Sequence, residues 1–294
     1  MRTTGIGLWI QAARPWTLGV AISPILMGTI IAHTEGGIRW PAALAAFLGG
    51  ILIQIGTNLA NDYFDFKKGA DTATRIGPQR VTQAGLVAPE TVRNGFIACF
   101  GIAFLVGIYL VYVGGWPIVI IGLLALLFGV IYTGGPFPLA YHGLAELPAF
   151  LFFGPIASAT TTYVQIGSWS SAAIIAGTSA GFFSMALLSI NNLRDYQEDR
   201  TVGKHTLVAV FGRDFGVYEY GLSILAATLA PLTLILLTPE HSLVGLTSLT
   251  GFMALYAVRI TANYEEPKEL LAVLKMTAKL QAIFTIIFAV TWVI

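Results

Sequence analysis

An all-α fold, a polytopic membrane bundle of nine transmembrane helices, is what the sequence predicts, and two observations carry the prediction. Hydrophobic residues make up 56% of the chain and charged residues only 11%, so a water-facing shell of ordinary polarity cannot be assembled from it. The apolar residues also fall in runs of about 20, the length at which a helix crosses hydrocarbon with its backbone hydrogen bonds satisfied internally. These runs lie at 16–33, 41–60, 94–113, 115–133, 147–166, 170–190, 216–237, 241–262 and 270–293.

The first run follows Arg2 and Arg14 and faintly resembles a secretory leader, but without a clear cleavage site it reads as a span that Pro24 should kink. Gly114 and Gly115, ahead of Trp116 and Pro117, predict a tight hairpin between the third and fourth spans. Gly49, Gly50, Gly122 and the stretch from Gly177 to Gly181 read as small surfaces for close helix packing in lipid. Cys99 is the only cysteine and sits in an apolar run, where it serves as a packing residue. No charged tail or flexible linker interrupts the pattern, so residues 1–294 read as one membrane domain.

Short cytoplasmic loops retain Lys and Arg, which orients the bundle. With the amino terminus inside, every basic residue except Arg39 falls on the inner side, and an odd number of spans leaves the carboxyl terminus outside. The expected location is the inner (plasma) membrane, with lipid as a partner. A net charge of +1 spread over several loops gives no patch for nucleic acid.

Two polar loops stand out on the inner side, at about 61–93 and 191–215, and both open with the same pattern. The first, N-L-A-N-D-Y-F-D-F-K-K-G-A-D, supplies Asn58, Asn61, Asp62, Asp65 and Asp71. If the helix continues past the membrane edge, Asn58, Asp62 and Asp65 share one face, as do Asn61 and Asp65. The second, N-N-L-R-D-Y-Q-E-D-R, repeats the four-residue step at Asn191, Asp195 and Asp199. Carboxylate and amide oxygens suit a hard cation such as Mg2+, which is held by one or two carboxylates together with phosphate oxygens. Crowded carboxylates beside a low-dielectric membrane also call for a cation.

Arg75, Arg80 and Lys204, with Lys67, Lys68, Arg194 and Arg213, place positive charge around these acids, as pairing with a diphosphate would require. Inner loops carry such charge whatever they bind, so this feature alone does not assign the ligand. Phe64, Tyr109, Phe128 and Tyr132 are candidates for lining an apolar channel. Phosphate-cradling and dinucleotide glycine motifs are missing from the sequence, and the four histidines lack zinc-site spacing. A cation transporter is the rival class, yet it would set acids near mid-helix, and these lie at helix ends.

At these residues the chain resembles the UbiA superfamily of intramembrane prenyltransferases, through N-x-x-x-D with a further Asp at Asn61, Asp65 and Asp71, and D-x-x-x-D at Asp195 and Asp199. Within it the chain is most similar to enzymes that prenylate 1,4-dihydroxy-2-naphthoate in menaquinone synthesis. R-P-W-T-L at Arg14, N-D-Y-F-D-F-K-K-G-A-D followed by R-I-G-P-Q-R-V-T-Q, Y-T-G-G-P-F-P-L-A-Y at Tyr132 and the run from Asn191 through Leu207 carry that likeness. The resemblance implies a nine-helix bundle, Mg2+ held at Asp62, Asp65, Asp71, Asp195 and Asp199, and catalytic roles for Asp65, Asp195 and Lys204. It also implies substrate contacts at Arg14, Asn58, Asn61, Arg75, Arg80, Tyr132, Asn191 and Arg194. The implied substrates are an isoprenoid diphosphate and an aromatic acid, joined with loss of the ring carboxylate in the naphthoate case. 4-Hydroxybenzoate and homogentisate remain alternative acceptors. Prenyl length and oligomeric state are left open.

Overall fold

A computed structural model describes residues 5–70 and 76–294, and every regular element among them is helical. Asp71 and Arg75 lie outside the described residues. A short helix, α1 (Gly5–Ala13), precedes α2 (Pro15–Glu35), α3 (Trp40–Lys67), α4 (Pro89–Gly114) and α5 (Trp116–Ile131). Next come α6 (Glu146–Phe152), α7 (Pro155–Ile166), the long α8 (Ser171–Thr201) and the short α9 (Leu207–Phe211). The last third holds α10 (Arg213–Leu229), α11 (Leu232–Leu237), a 3₁₀ segment at Pro239–Leu249, α12 (Thr250–Asn263) and α13 (Leu270–Val293).

Among the described residues, eight helical segments are long and apolar enough to cross a membrane, and α5 is a shorter apolar helix. Two of the eight are each made of two α-helices with a break between them. The α10–α11 segment breaks at Pro231, which has no N–H to donate to the preceding turn. The α6–α7 segment breaks at Gly154, which presses against α8: a Cβ on Gly154 would lie 2.7 Å from Gly181 Cα and 2.8 Å from the Gly177 carbonyl oxygen. The 177–181 stretch is therefore the packing surface the sequence suggested. Gly122 is not, since the space beside it is open and it lines a cavity. Helix α2 continues through Pro24, and the predicted hairpin is made by Gly115 at φ +68° between α4 and α5.

Two helices run on beyond their apolar stretches. Helix α3 ends at Lys67 and α8 at Thr201, so the first turns of both polar loops are helical. Low hydropathy marks where a helix leaves the membrane, not where its hydrogen-bond ladder ends.

The outward surface is apolar, with Leu105, Tyr112, Leu236 and Phe252 among the exposed side chains, as expected where lipid is the solvent. The interior mixes Phe183, Tyr220, Phe284 and Phe288 with buried Ser and Thr. Some of those hydroxyls bond across helices, Ser23 with Thr285 at 2.6 Å and Tyr220 with Thr277 at 2.9 Å, and are thereby satisfied within the bundle. Trp292, near the end of α13, donates to Thr34 near the end of α2. The carboxyl-terminal end of the chain thus lies at the opposite end of the bundle from the polar ends of α3 and α8.

Because the contact at Gly177 is with backbone, Gly177→Ala forces helix α8 away from Gly154, an overpacking that costs about 1–3 kcal/mol. A thermal melt in detergent should show a midpoint several degrees lower. Gly122→Ala, beside open space, should not lower it.

Candidate active site

The polar end of α3 divides its side chains between two tasks. Asn58 donates to the Ala13 carbonyl and to the Thr17 hydroxyl, each at 2.9 Å, and so fastens the α1–α2 junction. Asp62 accepts from the Val81 backbone N–H at 3.2 Å and holds the loop that follows. Asn58, Asp62 and Asp65 share one buried face of α3, as the sequence suggested, and the first two of them brace neighbouring chain. The other expected face forms, because a single Arg80 nitrogen reaches Asn61 Oδ1 at 3.3 Å and Asp65 Oδ2 at 3.5 Å. Arg14, at the same junction, has the only positive φ of any non-glycine residue among those described, and its guanidinium points at the Asn58 carbonyl oxygen at 3.5 Å.

The end of α8 carries the second set. Arg194, buried, clasps Asp195 through two hydrogen bonds of 2.7 and 2.6 Å. Asn191 donates to the Leu187 carbonyl of its own helix. After Thr201 the chain turns through Gly203, at φ +71°, until the Lys204 N–H meets the Asp199 carbonyl at 2.8 Å. That turn brings Lys204 Nζ to 3.8 Å from Asp199 Oδ1.

Tyr141 joins the two ends. Its hydroxyl donates to Asp65 Oδ1 at 2.9 Å, while its backbone carbonyl accepts from the His205 N–H at 3.1 Å. Lys68 Nζ lies 4.3 Å from the ring centroid and Lys204 Nζ 5.6 Å from it, so ammonium groups from both halves meet one aromatic ring. Lys68 also donates to the Thr133 carbonyl at 2.9 Å. Partial burial pushes the Lys68 pKa below its ordinary value; Asp65 opposes that shift and Lys204 adds to it. Crowded cations of this kind favour a multiply charged anion between them.

Above this polar floor lies a cavity of about 560 Å³ bordered by α2 to α7 and open at its side, where Phe104, Ile108 and Leu123 are exposed. Its walls are almost wholly apolar, including Ile53, Phe104, Leu126 and Phe152. Along α3 the lining residues Gly50, Ile53 and Thr57 share a face with Asn61 and Asp65, so one helical stripe runs from apolar chamber to acidic end. Of the four aromatic residues proposed to line a channel, Phe128 and Tyr132 do so. Phe64 packs against Tyr63 and Phe96, and Tyr109 joins a separate cluster with Ala42, Ile118 and Val164. Tyr132 sits where chamber and polar floor meet: burial raises its pKa, as do the charges of Glu146, Asp65 and Asp199, whereas Arg14 lowers it.

Paired acidic helix ends beneath an apolar chamber agree with what comparison of the chain finds, since residues 21–292 match the UbiA prenyltransferase family. The chain belongs to that family. It is an integral membrane prenyltransferase, and proteins of known role share most of its length. The 1,4-dihydroxy-2-naphthoate octaprenyltransferase of Escherichia coli (strain K12) is 33% identical over 278 residues, spanning 92% of this chain and 90% of that one. The protein of that name from Mycobacterium tuberculosis (strain ATCC 25618 / H37Rv) is 33% identical over 271 residues, spanning 92% and 91%. In fold, the prenyltransferase resembles a UbiA homolog from Archaeoglobus fulgidus solved with GPP and Mg2+, with a TM-score of 0.72 at 13% identity over 98% of this chain and 100% of that one.

The donor set of this prenyltransferase fits a hard divalent cation, because Asp65, Asp195 and Asp199 offer only oxygen. Among the described residues no three His, Cys, Asp or Glu side chains converge as a metal cage. Mg2+ shared with substrate phosphate needs only one or two carboxylates from the protein. Sequence reasoning did not single out Tyr141, nor Lys68 among the loop cations. Nothing in local spacing marks either one, since each acts on residues brought near by folding.

Tyr141→Phe deletes the bond to Asp65 and keeps the ring beneath both lysines. A hydrogen bond to a charged group contributes about 1.5–3 kcal/mol, so the melting midpoint should fall by several degrees and turnover of prenyl diphosphate roughly ten- to hundredfold.

Proposed function

We propose that this prenyltransferase moves a polyprenyl group from a Mg2+-bound diphosphate to 1,4-dihydroxy-2-naphthoate, with loss of the ring carboxylate. The observation that carries the reading is the meeting of two acidic helix ends and two ammonium groups around Tyr141, at the inner end of an apolar chamber. The relatives named above, similar over nine-tenths of their length, support the choice of acceptor.

In this reading Asp65, Asp195 and Asp199, with Asp71 from the following loop, hold Mg2+, which when bound supplies Lewis-acid stabilisation of the departing diphosphate. Lys204, Lys68 and Arg80, together with Arg75, pair with diphosphate oxygens and favour the charge that grows as the C–O bond breaks. Arg194 fixes the orientation of the Asp195 carboxylate, and Asn61 and Asn191 border the same floor. The prenyl tail occupies the chamber. Its transfer from water is favourable by about 0.8 kcal/mol per methylene, which explains why the site opens into apolar walls. Arg14, close enough to Tyr132 to act on it electrostatically, receives the acceptor carboxylate.

Purified protein with Mg2+, a polyprenyl diphosphate and a panel including 1,4-dihydroxy-2-naphthoate, 4-hydroxybenzoate and homogentisate should yield product chiefly from the first. Asp195→Asn and Asp199→Asn should each reduce turnover at limiting Mg2+ by at least tenfold; near-normal rates for both would remove them as ligands. In the same assay, Arg14→Gln should raise the acceptor KM roughly ten- to hundredfold and leave the donor KM unchanged, as expected for a charge-assisted contact of about 1.5–3 kcal/mol. Equal effects on both constants would make Arg14 a membrane anchor.

The basic residues support an orientation with the amino terminus and both acidic ends on the cytoplasmic side of the plasma membrane. A reporter fused after Ile294 should then be active only outside the cell. Cytoplasmic reporter activity would overturn the proposed orientation.

A further inference from the structure

A buried carboxylate takes no part in the machinery described so far. Glu146 opens α6 and is only 5% exposed. Its Oε1 accepts from Asn192 Nδ2 at 3.2 Å, whereas Oε2 is buried and has no hydrogen-bond partner among the described residues. A buried, half-satisfied carboxyl is expensive, because the unpaired oxygen loses water and gains nothing in return. Such an atom calls for a ligand group that can donate a hydrogen bond.

The position of Glu146 says which ligand. Ala149 and Phe153 of the α6–α7 segment line the chamber, and Glu146 stands three and seven residues before them, at the inner end of the same helical face. Tyr132, at the chamber floor, feels the charge of Glu146 more strongly than that of Asp65, and the charge of Arg14 as well. Glu146 and Arg14 thus act on one floor residue with opposite signs. Of the polar groups carried by the two proposed substrates, diphosphate and carboxylate are anionic and repelled by Glu146. Ring hydroxyls are the donors.

We propose that Glu146, anchored through Asn192, accepts a hydrogen bond from a ring hydroxyl of the aromatic acceptor and thereby selects hydroxylated rings. The assignment rests on the reading that the acceptor is a hydroxylated aromatic acid. With Arg14 on the carboxylate and Glu146 on the hydroxyl, the ring is held at two points beside the floor where the diphosphate leaves. The negative charge next to the hydroxyl also makes the ring richer in electrons.

The test compares 1,4-dihydroxy-2-naphthoate with its two mono-O-methyl ethers on wild type and Glu146→Gln. The glutamine oxygen can still accept from Asn192, and its NH2 then replaces an acceptor by a donor at the open position. Wild type should prefer the diol over one of the ethers. In E146Q, kcat/KM for the diol should fall roughly ten- to hundredfold, the rate with that ether should hold or rise, and the donor KM and melting midpoint should not move. An unchanged diol-to-ether ratio would overturn the assignment and return Glu146 to a packing role. Glu146→Asp, which keeps the charge and draws the carboxylate back by one methylene, should lower the same ratio and decides the matter should E146Q accumulate poorly. If no aromatic acid is prenylated even by wild type, the acceptor reading itself fails; if the diol is prenylated with E146Q equal to wild type, only the role of Glu146 fails.

Discussion

Charge cannot be left bare beside hydrocarbon, and the architecture of this prenyltransferase follows from how it meets that constraint. Its acids stand at the ends of two helices that run past their apolar stretches, α3 to Lys67 and α8 to Thr201. Each acid near the site has a cation at hand: Arg80 for Asp65, Arg194 for Asp195, Lys204 for Asp199. Tyr141 then ties the halves through its hydroxyl, its ring and its backbone carbonyl. A loop between α5 and α6 thereby decides how far apart the two acidic ends lie.

The pairing does not make the site inert. Arg80 reaches Asp65 at 3.5 Å and Lys204 reaches Asp199 at 3.8 Å, both longer than the 2.7–2.9 Å of a strong charge-assisted bond. An incoming diphosphate would compete with these carboxylates for the same cations. Arg194 differs, since its two bonds to Asp195 are short and it is buried. It holds the orientation of the Asp195 carboxylate.

Small residues serve two opposed ends in the same bundle. At Gly154, Gly177 and Gly181 the missing side chain lets backbones touch, which locks α8 to the break between α6 and α7. At Gly107 and Gly122 it leaves space beside the chamber. Lipid provides no hydrophobic force to close such gaps, so helix contact in a membrane depends on shape, and a gap persists where shape does not close it.

Local periodicity made much of this legible in the sequence. Runs of about 20 apolar residues set the helices, because hydrocarbon admits no unsatisfied backbone, and a four-residue step put Asn61 with Asp65 on one helical face. The same step aligned Asn58 and Asp62 with Asp65 but did not foretell that they brace the α1–α2 junction and the following loop, since a helix face says which residues align and not which neighbour they meet. Tyr141 contacts a carboxylate 76 positions away, and Glu146 contacts an amide 46 positions away. No spacing rule links such pairs. Only the folded bundle decides them, because loop and helix ends distant in sequence must first be packed side by side before an oxygen has, or lacks, a partner.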